Sequence, residues 1–531
     1  MSRLLVFLIA LLTAVLLLHP AGPPVAPIIF ENSTARSQID FVLRNGAIAG
    51  EKHQIETMLG GVAAFDFDGD GRLDLFFTNG ARQPDLIKDD ARWWNRLYRN
   101  KGNGEFEDVT VKAGVRGEGY SMAAAVGDYD GDGRPDLFVA GVGRNILYHN
   151  RGDGTFEDVT ARSGIRAEPW SIGAGWFDAD GDGRLDLFVV NYVVWAPKKE
   201  PVCQDPRTHA LLHCHPDLYT GLPDRLYHNN GDGTFTDVSE SAGIARHTGK
   251  GMAVAFADYD GDGRPDILVT NDTQPNFLFH NNGGGRFQEV GLTAGIAFND
   301  DGRALSSMGA DFRDLDNDGR PDIFLTTIRH ETYPVYRNLG KGLFGDFTYR
   351  SRVGSVTAST TGWGNGIYDL NNDGRKDLFA ANGDLNGAPE TNVVLAQRSD
   401  GTFDAIPVGA PGQHRGAAFG DFDNDGRIDV VVTRIGEKPL VLHNVSAGQN
   451  HWLGLELKGH AVGAVVQLKT ASGDQSNHVT TAIGYASASD SRVHFGLGAE
   501  THAAIEIRWP TGATQRIDAA QVDRYLIVRE P

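Results

Sequence analysis

Residues 66–74 read DFDGDGRLD, four aspartates in nine residues with two glycines between them. The frame D-x-D-x-D-G-x-x-D returns as DYDGDGRPD (128–136), DADGDGRLD (178–186), DYDGDGRPD (258–266), DLDNDGRPD (314–322), DLNNDGRKD (369–377, with Asn371 in place of one Asp) and DFDNDGRID (421–429). Carboxylates this close repel one another at neutral pH, and a bound cation is what relieves that repulsion. Hard oxygen ligands at alternating positions suit Ca²⁺, which accepts six to eight oxygens; Mg²⁺ demands a stricter octahedron and Zn²⁺ prefers His or Cys. The expected ligands are Asp66, Asp68, Asp70 and Asp74 in the first loop, Asp128, Asp130, Asp132 and Asp136 in the second, and Asp178, Asp180, Asp182 and Asp186 in the third. Asp258, Asp260, Asp262 and Asp266 follow, then Asp314, Asp316, Asp318 and Asp322. The last two sets are Asp369, Asn371, Asp373 and Asp377, and Asp421, Asp423, Asp425 and Asp429. The glycine at the sixth place allows the sharp turn, and the residue after it offers its carbonyl, leaving the arginine side chain free to screen charge. Up to seven Ca²⁺ are expected, with the sixth site weakened by Asn371. The competing reading, seven metal-free turns, leaves seven acidic clusters uncompensated.

The loops account for nearly all of the formal charge of −20. The acidity is therefore concentrated in small sites, and no basic stripe offers itself to phosphates, so nucleic acid is not an expected partner.

What positions the loops is β-structure. Each is followed by a short apolar run such as LDLFFTN, PDLFVAG or PDILVTN, and preceded by small apolar stretches such as MAAAVG and IGAGWF. These read as strand–loop–strand hairpins. A third strand recurs as RLYRN (96–100), ILYHN (146–150), RLYHN (225–229), FLFHN (277–281) and PVYRN (334–338), and a fourth around Phe106, Phe156, Phe235, Phe287, Phe344 and Phe403. Four strands per unit, repeated, predict an all-β fold, a seven-bladed β-propeller over about residues 25–447. The last unit stops at LVLHN (440–444), so the N-terminal IIFENST (28–34) is expected to supply its fourth strand. Residues 448–531 alternate apolar and polar positions in short runs and predict a small C-terminal β-sandwich-like domain.

The repeats resemble the FG-GAP/VCBS class found in integrin α-subunit propellers and many bacterial surface proteins. The tail segments NHWLGLELKG (450–459), GYASASDSRVHFGLG (484–498) and IEIRWPTGATQ (505–515) resemble the ASPIC/UnbV domain. The whole chain thus resembles the cartilage acidic protein family, which implies an extracellular calcium-binding protein and supplies no reaction. One departure is visible: only HAV separates LKG from the following GAVV.

Arg3 and the apolar run Leu4–Leu18 predict a signal peptide over residues 1–24, or an N-terminal anchor. Export points to a secreted, periplasmic or cell-surface protein. The two cysteines, Cys203 and Cys214, fall in one insertion and read as a disulfide, the alternative being a metal site with His209, His213 and His215. A ligand face is expected opposite the aspartate loops, where Asn79, Asn191, Asn271 and Asn382 leave the second strands and Tyr120, Trp170 and Trp363 enter the first. Amides and aromatics suit a glycan or an extracellular protein. The functional expectation is non-catalytic binding or adhesion. The alternative is a calcium-dependent carbohydrate-active enzyme such as a polysaccharide lyase, which needs an acid and a base facing each other in the mouth of the disc.

Overall fold

A computed structural model describes residues 27–197, 199–385, 387–446 and 448–531. The expected signal segment over 1–24 lies outside the described residues. The chain is all-β, built of repeated four-stranded antiparallel units. In the first, Val62–Phe65, Asp74–Phe77, Arg96–Gly102 and Glu105–Asp108 pair in chain order; in the second, Tyr120–Gly127, Asp136–Val142, Ile146–Asn150 and Phe156–Asp158 do the same. Seven such sheets occur among the described residues. In the last, Phe30–Asn32 pairs with Leu440–Asn444 in the register Phe30↔Asn444, Glu31↔His443, Asn32↔Leu442. The N-terminal strand thus completes a sheet whose other three strands lie some 400 residues away, and it removes an exposed edge.

The first strand of each unit packs on the first strand of the next, from Val62–Phe65 through Tyr120–Gly127 and onward to His414–Gly420, which returns to Val62–Phe65. This convergence explains the small residues before each loop. A Cβ at Gly175 would lie 2.5 Å from the Phe256 ring of the next unit and 2.9 Å from Ala482. The second strands, Asp136–Val142 among them, are buried along their length, which is why they read as continuous apolar runs.

The tail forms a three-stranded sheet ordered Val493–Gly498, His451–Lys458, Tyr525–Arg529. A second, four-stranded sheet is ordered Asp474–His478, Val465–Lys469, His502–Arg508, Thr514–Gln521. Leu453, Val466, Phe495, Ile505 and Trp509 form the core between them. Residues 479–490 leave this domain and run into the place where the first strands converge. There Thr481 Oγ1 donates to the Val126 carbonyl (2.8 Å), Gly484 N to Ala310 O (2.8 Å) and Ala488 N to Val62 O (2.9 Å), and Ser489 Oγ accepts from Phe419 N (3.1 Å). Tyr485 is fully buried, its ring 5.0 Å from that of Trp363 and its hydroxyl donating to Met58 O. The segment hydrogen-bonds to the first, second, fifth and seventh units.

Cys203 and Cys214 form a disulfide, so they are not metal ligands. Among the described residues, no helix is long and apolar enough to cross a membrane.

Deleting residues 27–34 leaves Leu440–Asn444 without its outer partner. We expect a loss of about 2–4 kcal/mol in urea unfolding, on the scale of a few backbone hydrogen bonds. Protease cleavage should start within 413–444. Unchanged stability would show that the N-terminal strand is dispensable.

Candidate metal centres in the aspartate loops

Each loop is held open by its own backbone. In the first, Asp66 accepts from Gly71 N (2.8 Å) and Asp70 N (3.1 Å), and Gly71 takes φ +82°, a region closed to most side chains. Asp70 accepts from Arg72 N (3.0 Å). The Arg72 side chain does screen the loop, its guanidinium pairing with Asp70, and its Nε also donates to Asn100 O (3.0 Å). The six other loops repeat this wiring, from Asp128 with Gly133 to Asp421 with Gly426, and their arginines likewise reach the end of the third strand. Asp66, Asp68 and Asp70 bring carboxylate oxygens within 4.8 Å of one another, as a single cation requires.

The ninth residue differs from the others. Asp74 is fully buried; one oxygen accepts from Phe67 N (3.1 Å) in its own loop and the other from Asn100 N (2.7 Å) on the third strand. Asp136, Asp186, Asp266, Asp322, Asp377 and Asp429 bond in the same way. Burial pushes Asp74, Asp136, Asp266 and Asp322 up to about 8 and Asp186 to about 7, and raises Asp377 and Asp429 as well; the backbone N–H groups only partly offset it. An ionised carboxylate in each position thus needs a positive neighbour.

The third strands bring two residues that the motif alone does not reveal. The first is a side chain facing the carboxylates: Arg99, His149, His228, His280, Arg337 and His443 in six units, Ala396 in the sixth. His149 Nδ1 stands 3.2 Å from Asp130 and 3.3 Å from Asp136; His228, His280 and His443 repeat the arrangement. Arg99 Nε is 2.6 Å from Asp68, and Arg337 pairs with Asp316. In the sixth unit the cation is instead buried Lys376, whose Nζ donates to Asn317 Oδ1 (2.6 Å) of the preceding loop. The second residue is the amide that ends the strand. Asn150 donates to its own loop at Pro135 O (3.1 Å) and to Phe67 O (2.9 Å) of the preceding unit. Asn229, Asn281, Asn338, Gln397 and Asn444 also reach the preceding loop, and Asn100 closes the circle on Phe422 O (2.9 Å). Recurrence of Asn at this place was the available signal.

The expected ligand face needs correction. Asn79, Tyr120, Trp170, Asn191, Asn271, Trp363 and Asn382 are all buried. The amide groups bond to the turns: Asn79 Oδ1 accepts from Arg44 N (2.8 Å), Asn191 Nδ2 donates to Pro223 O (2.9 Å), Asn271 Nδ2 to Pro275 O (2.9 Å) and Asn382 Nδ2 to Thr391 O (2.8 Å). Tyr120 OH donates to Asn45 O (2.9 Å) and Trp363 Nε1 to Gly383 O (2.7 Å), while Trp170 packs against Tyr192 and Trp195. Side chains committed to these turns and to the core present no surface to a ligand.

An open cleft lies instead on the loop side. The C-terminal domain sits over the sixth and seventh loops, with Asn450 Nδ2 donating to Asn371 O (2.9 Å), Tyr525 OH to Asp421 (2.9 Å) and Arg492 to Asp421 O (3.0 Å). It reaches the fourth through Arg508 and Asp258 (3.0 Å). Between it and the third to fifth loops is a cleft of about 380 Å³, lined by Asp180, Asp260, Arg264, Arg320, Lys341 and Gln467 among others. That volume is of the size that holds a small ligand.

Comparison with known proteins agrees with this architecture. An FG-GAP-like repeat model matches residues 66–139, 128–189, 214–269, 258–325, 314–380 and 369–432, and an ASPIC and UnbV model matches 454–531. Cartilage acidic protein 1 of Homo sapiens is 24% identical over 502 residues, covering 89% of this chain and 63% of that protein. The Xenopus tropicalis protein of the same name is 25% identical over 504 residues, covering 89% and 64%. The chain therefore spans less than two thirds of the length of these relatives. Among solved structures, an Agrocybe aegerita lectin recognising non-reducing terminal N-acetylglucosamine overlaps at TM-score 0.39, with 18% identity, 72% of this chain and 87% of that one. A Bacillus licheniformis rhamnogalacturonan lyase overlaps at TM-score 0.30, with 11% identity, 74% and 90%. Overlaps at that level do not establish shared function. The repeat matches run through most of the chain and the tail match ends it: the protein belongs to the family that joins FG-GAP-like repeats to a C-terminal ASPIC and UnbV domain.

Proposed function

We propose that this chain is an exported, calcium-stabilised seven-bladed β-propeller with a C-terminal β-sandwich-like domain, and that it binds a glycan or an extracellular protein without catalysis. The observation that carries the calcium reading is the sevenfold recurrence of one wiring, in which a buried carboxylate closes a loop of three further oxygen ligands. Each such carboxylate is costly to ionise without a cation. Side-chain oxygens from the first, third, fifth and ninth residues, with the seventh carbonyl, are what Ca²⁺ takes. The disulfide supports an oxidising compartment, which is where millimolar calcium is found.

The cleft over the third to fifth loops is the seat we assign to the ligand. Hydroxyls or carboxylates of a ligand there meet Arg264, Arg320 and Lys341, with ions held by the loops of Asp180 and Asp260 beside them. In an array of glycans and matrix proteins, binding should vanish in chelator. The exposed Gln467→Ala and Lys341→Ala variants should each lose roughly 1 kcal/mol or more. Full binding by both would remove the ligand from this cleft.

The pH dependence has a definite sign. Without metal, Asp74, Asp136, Asp186, Asp266 and Asp322 hold protons up to about 7–8 in the folded chain but lose them near the ordinary 3.8 when unfolded. Between those values the folded state binds more protons, so stability falls as pH rises from about 4 to about 8. Calcium stabilises the ionised form and should abolish that fall, better than magnesium. Metal-free melting that is flat or rises over this range, or equal protection by magnesium, would refute the reading.

A further inference from the structure

A second group of metal-ligating side chains lies away from the aspartate loops, where the third-unit insertion meets the chain segment before the first unit. His53 caps a single 3₁₀ turn, Gln54–Thr57, and Glu56 lies within it, with Glu56 N donating to His53 O (3.0 Å). Residues three apart in this geometry share a face. The insertion contributes Glu200 and His213, and the disulfide fixes Cys214 immediately after His213. Glu56 is 3% exposed and the Glu200 side chain 4%. No lysine or arginine among the described residues pairs with either.

Two details point to a cation site. His213 Nε2 is buried without a hydrogen-bond partner and stands 3.6 Å from Glu56 Oε2, too far for a hydrogen bond. Two donors of one tetrahedral ion, each roughly 2.0–2.2 Å from the metal, stand roughly 3.3–3.6 Å apart. Gln83 Nε2 donates to the other Glu56 oxygen (3.3 Å), while its own Oε1 is buried without a partner; Gln83 is 6% exposed. The turn beside Glu56 is fixed independently: His53 Nδ1 meets Glu200 (2.7 Å) and its Nε2 Glu51 (2.8 Å), while Tyr219 OH (2.8 Å) and Gln54 N (2.7 Å) donate to Glu200.

We propose that Glu56 and His213, backed by His53, Glu200 and Gln83, bind one divalent transition-metal ion of the zinc class, clamping the insertion to the N-terminal segment. The mixed nitrogen and oxygen donors select such an ion over calcium. The site is independent of the ligand cleft and of the calcium loops.

The test uses the full, oxidised chain held in saturating Ca²⁺, titrated with Co²⁺ and read by its visible ligand-field absorption, then with Zn²⁺ by calorimetry. One equivalent of four-coordinate Co²⁺, displaced by Zn²⁺, is expected. Glu56→Gln and His213→Gln should each weaken uptake at least tenfold, while exposed His209→Ala leaves it unchanged. Absence of uptake by the unaltered protein overturns the proposal without reference to any variant. So does uptake that both variants retain, since the histidines beside the aspartate loops would then be the binders. A lower melting temperature in the variants with the same metal uptake would mark a hydrogen-bonded staple only, and would also overturn it.

Discussion

The buried carboxylate at the end of each aspartate loop is the interaction on which the rest of the structure depends. Asp74 and its six counterparts each accept one backbone N–H from their own loop and one from the third strand of the same unit. A group that is costly to bury is thereby made the junction of two strands and a turn. The side-chain amide of that same third-strand residue carries the junction to the preceding unit, since Asn150 reaches Phe67 and Asn100 reaches Phe422. Loop conformation, strand register and the spacing of units are consequently one problem. Whatever satisfies the carboxylate satisfies all three.

The C-terminal domain makes sense in the same terms. Small residues let the first strands converge, and convergence leaves a central space lined by backbone groups and by side chains such as Trp363 and Arg415. Arg415 is buried over the Trp363 ring at 4.2 Å and donates to the carbonyls of Thr57 (2.6 Å) and His414 (2.7 Å). Residues 479–490 fill that space, pairing with Val62, Val126, Ala310 and Phe419. The tail is therefore part of the interior of the repeats rather than an appendage, and where it lies over the sixth and seventh loops it leaves a cleft against the third to fifth.

Much of this was legible in the residues. The nine-residue frame, the apolar run after it and the recurring third and fourth strands are local patterns, and local patterns map directly onto hairpins. The absence of a fourth strand after LVLHN, with IIFENST at the other end of the chain, was enough to foresee the pairing of Phe30 with Asn444. The amides and aromatics expected on a ligand face were misjudged for a physical reason. Asn79, Asn191, Asn271 and Asn382 have the composition of a polar rim, yet an amide at a strand end serves equally well to satisfy a buried turn. Residue type does not distinguish the two; burial does. The arginine of each loop screens charge as its place suggested, by pairing with an aspartate of its own loop, but its further bond to the third strand depends on how close that strand comes.

The sequence by itself determined the repeat, its strand order and the disulfide, because each of these is written in spacing between near neighbours or in the count of a rare residue. Only the tertiary structure decided which side chains from distant segments share a site. His149 beside Asp130, Asn100 beside Phe422, Tyr485 beside Trp363 and His213 beside Glu56 are separated by distances along the chain that carry no periodic signal. Their meeting follows from the closure of the units on one another and from the docking of the insertion and tail. These are consequences of packing many apolar faces at once, and no single stretch of residues contains them.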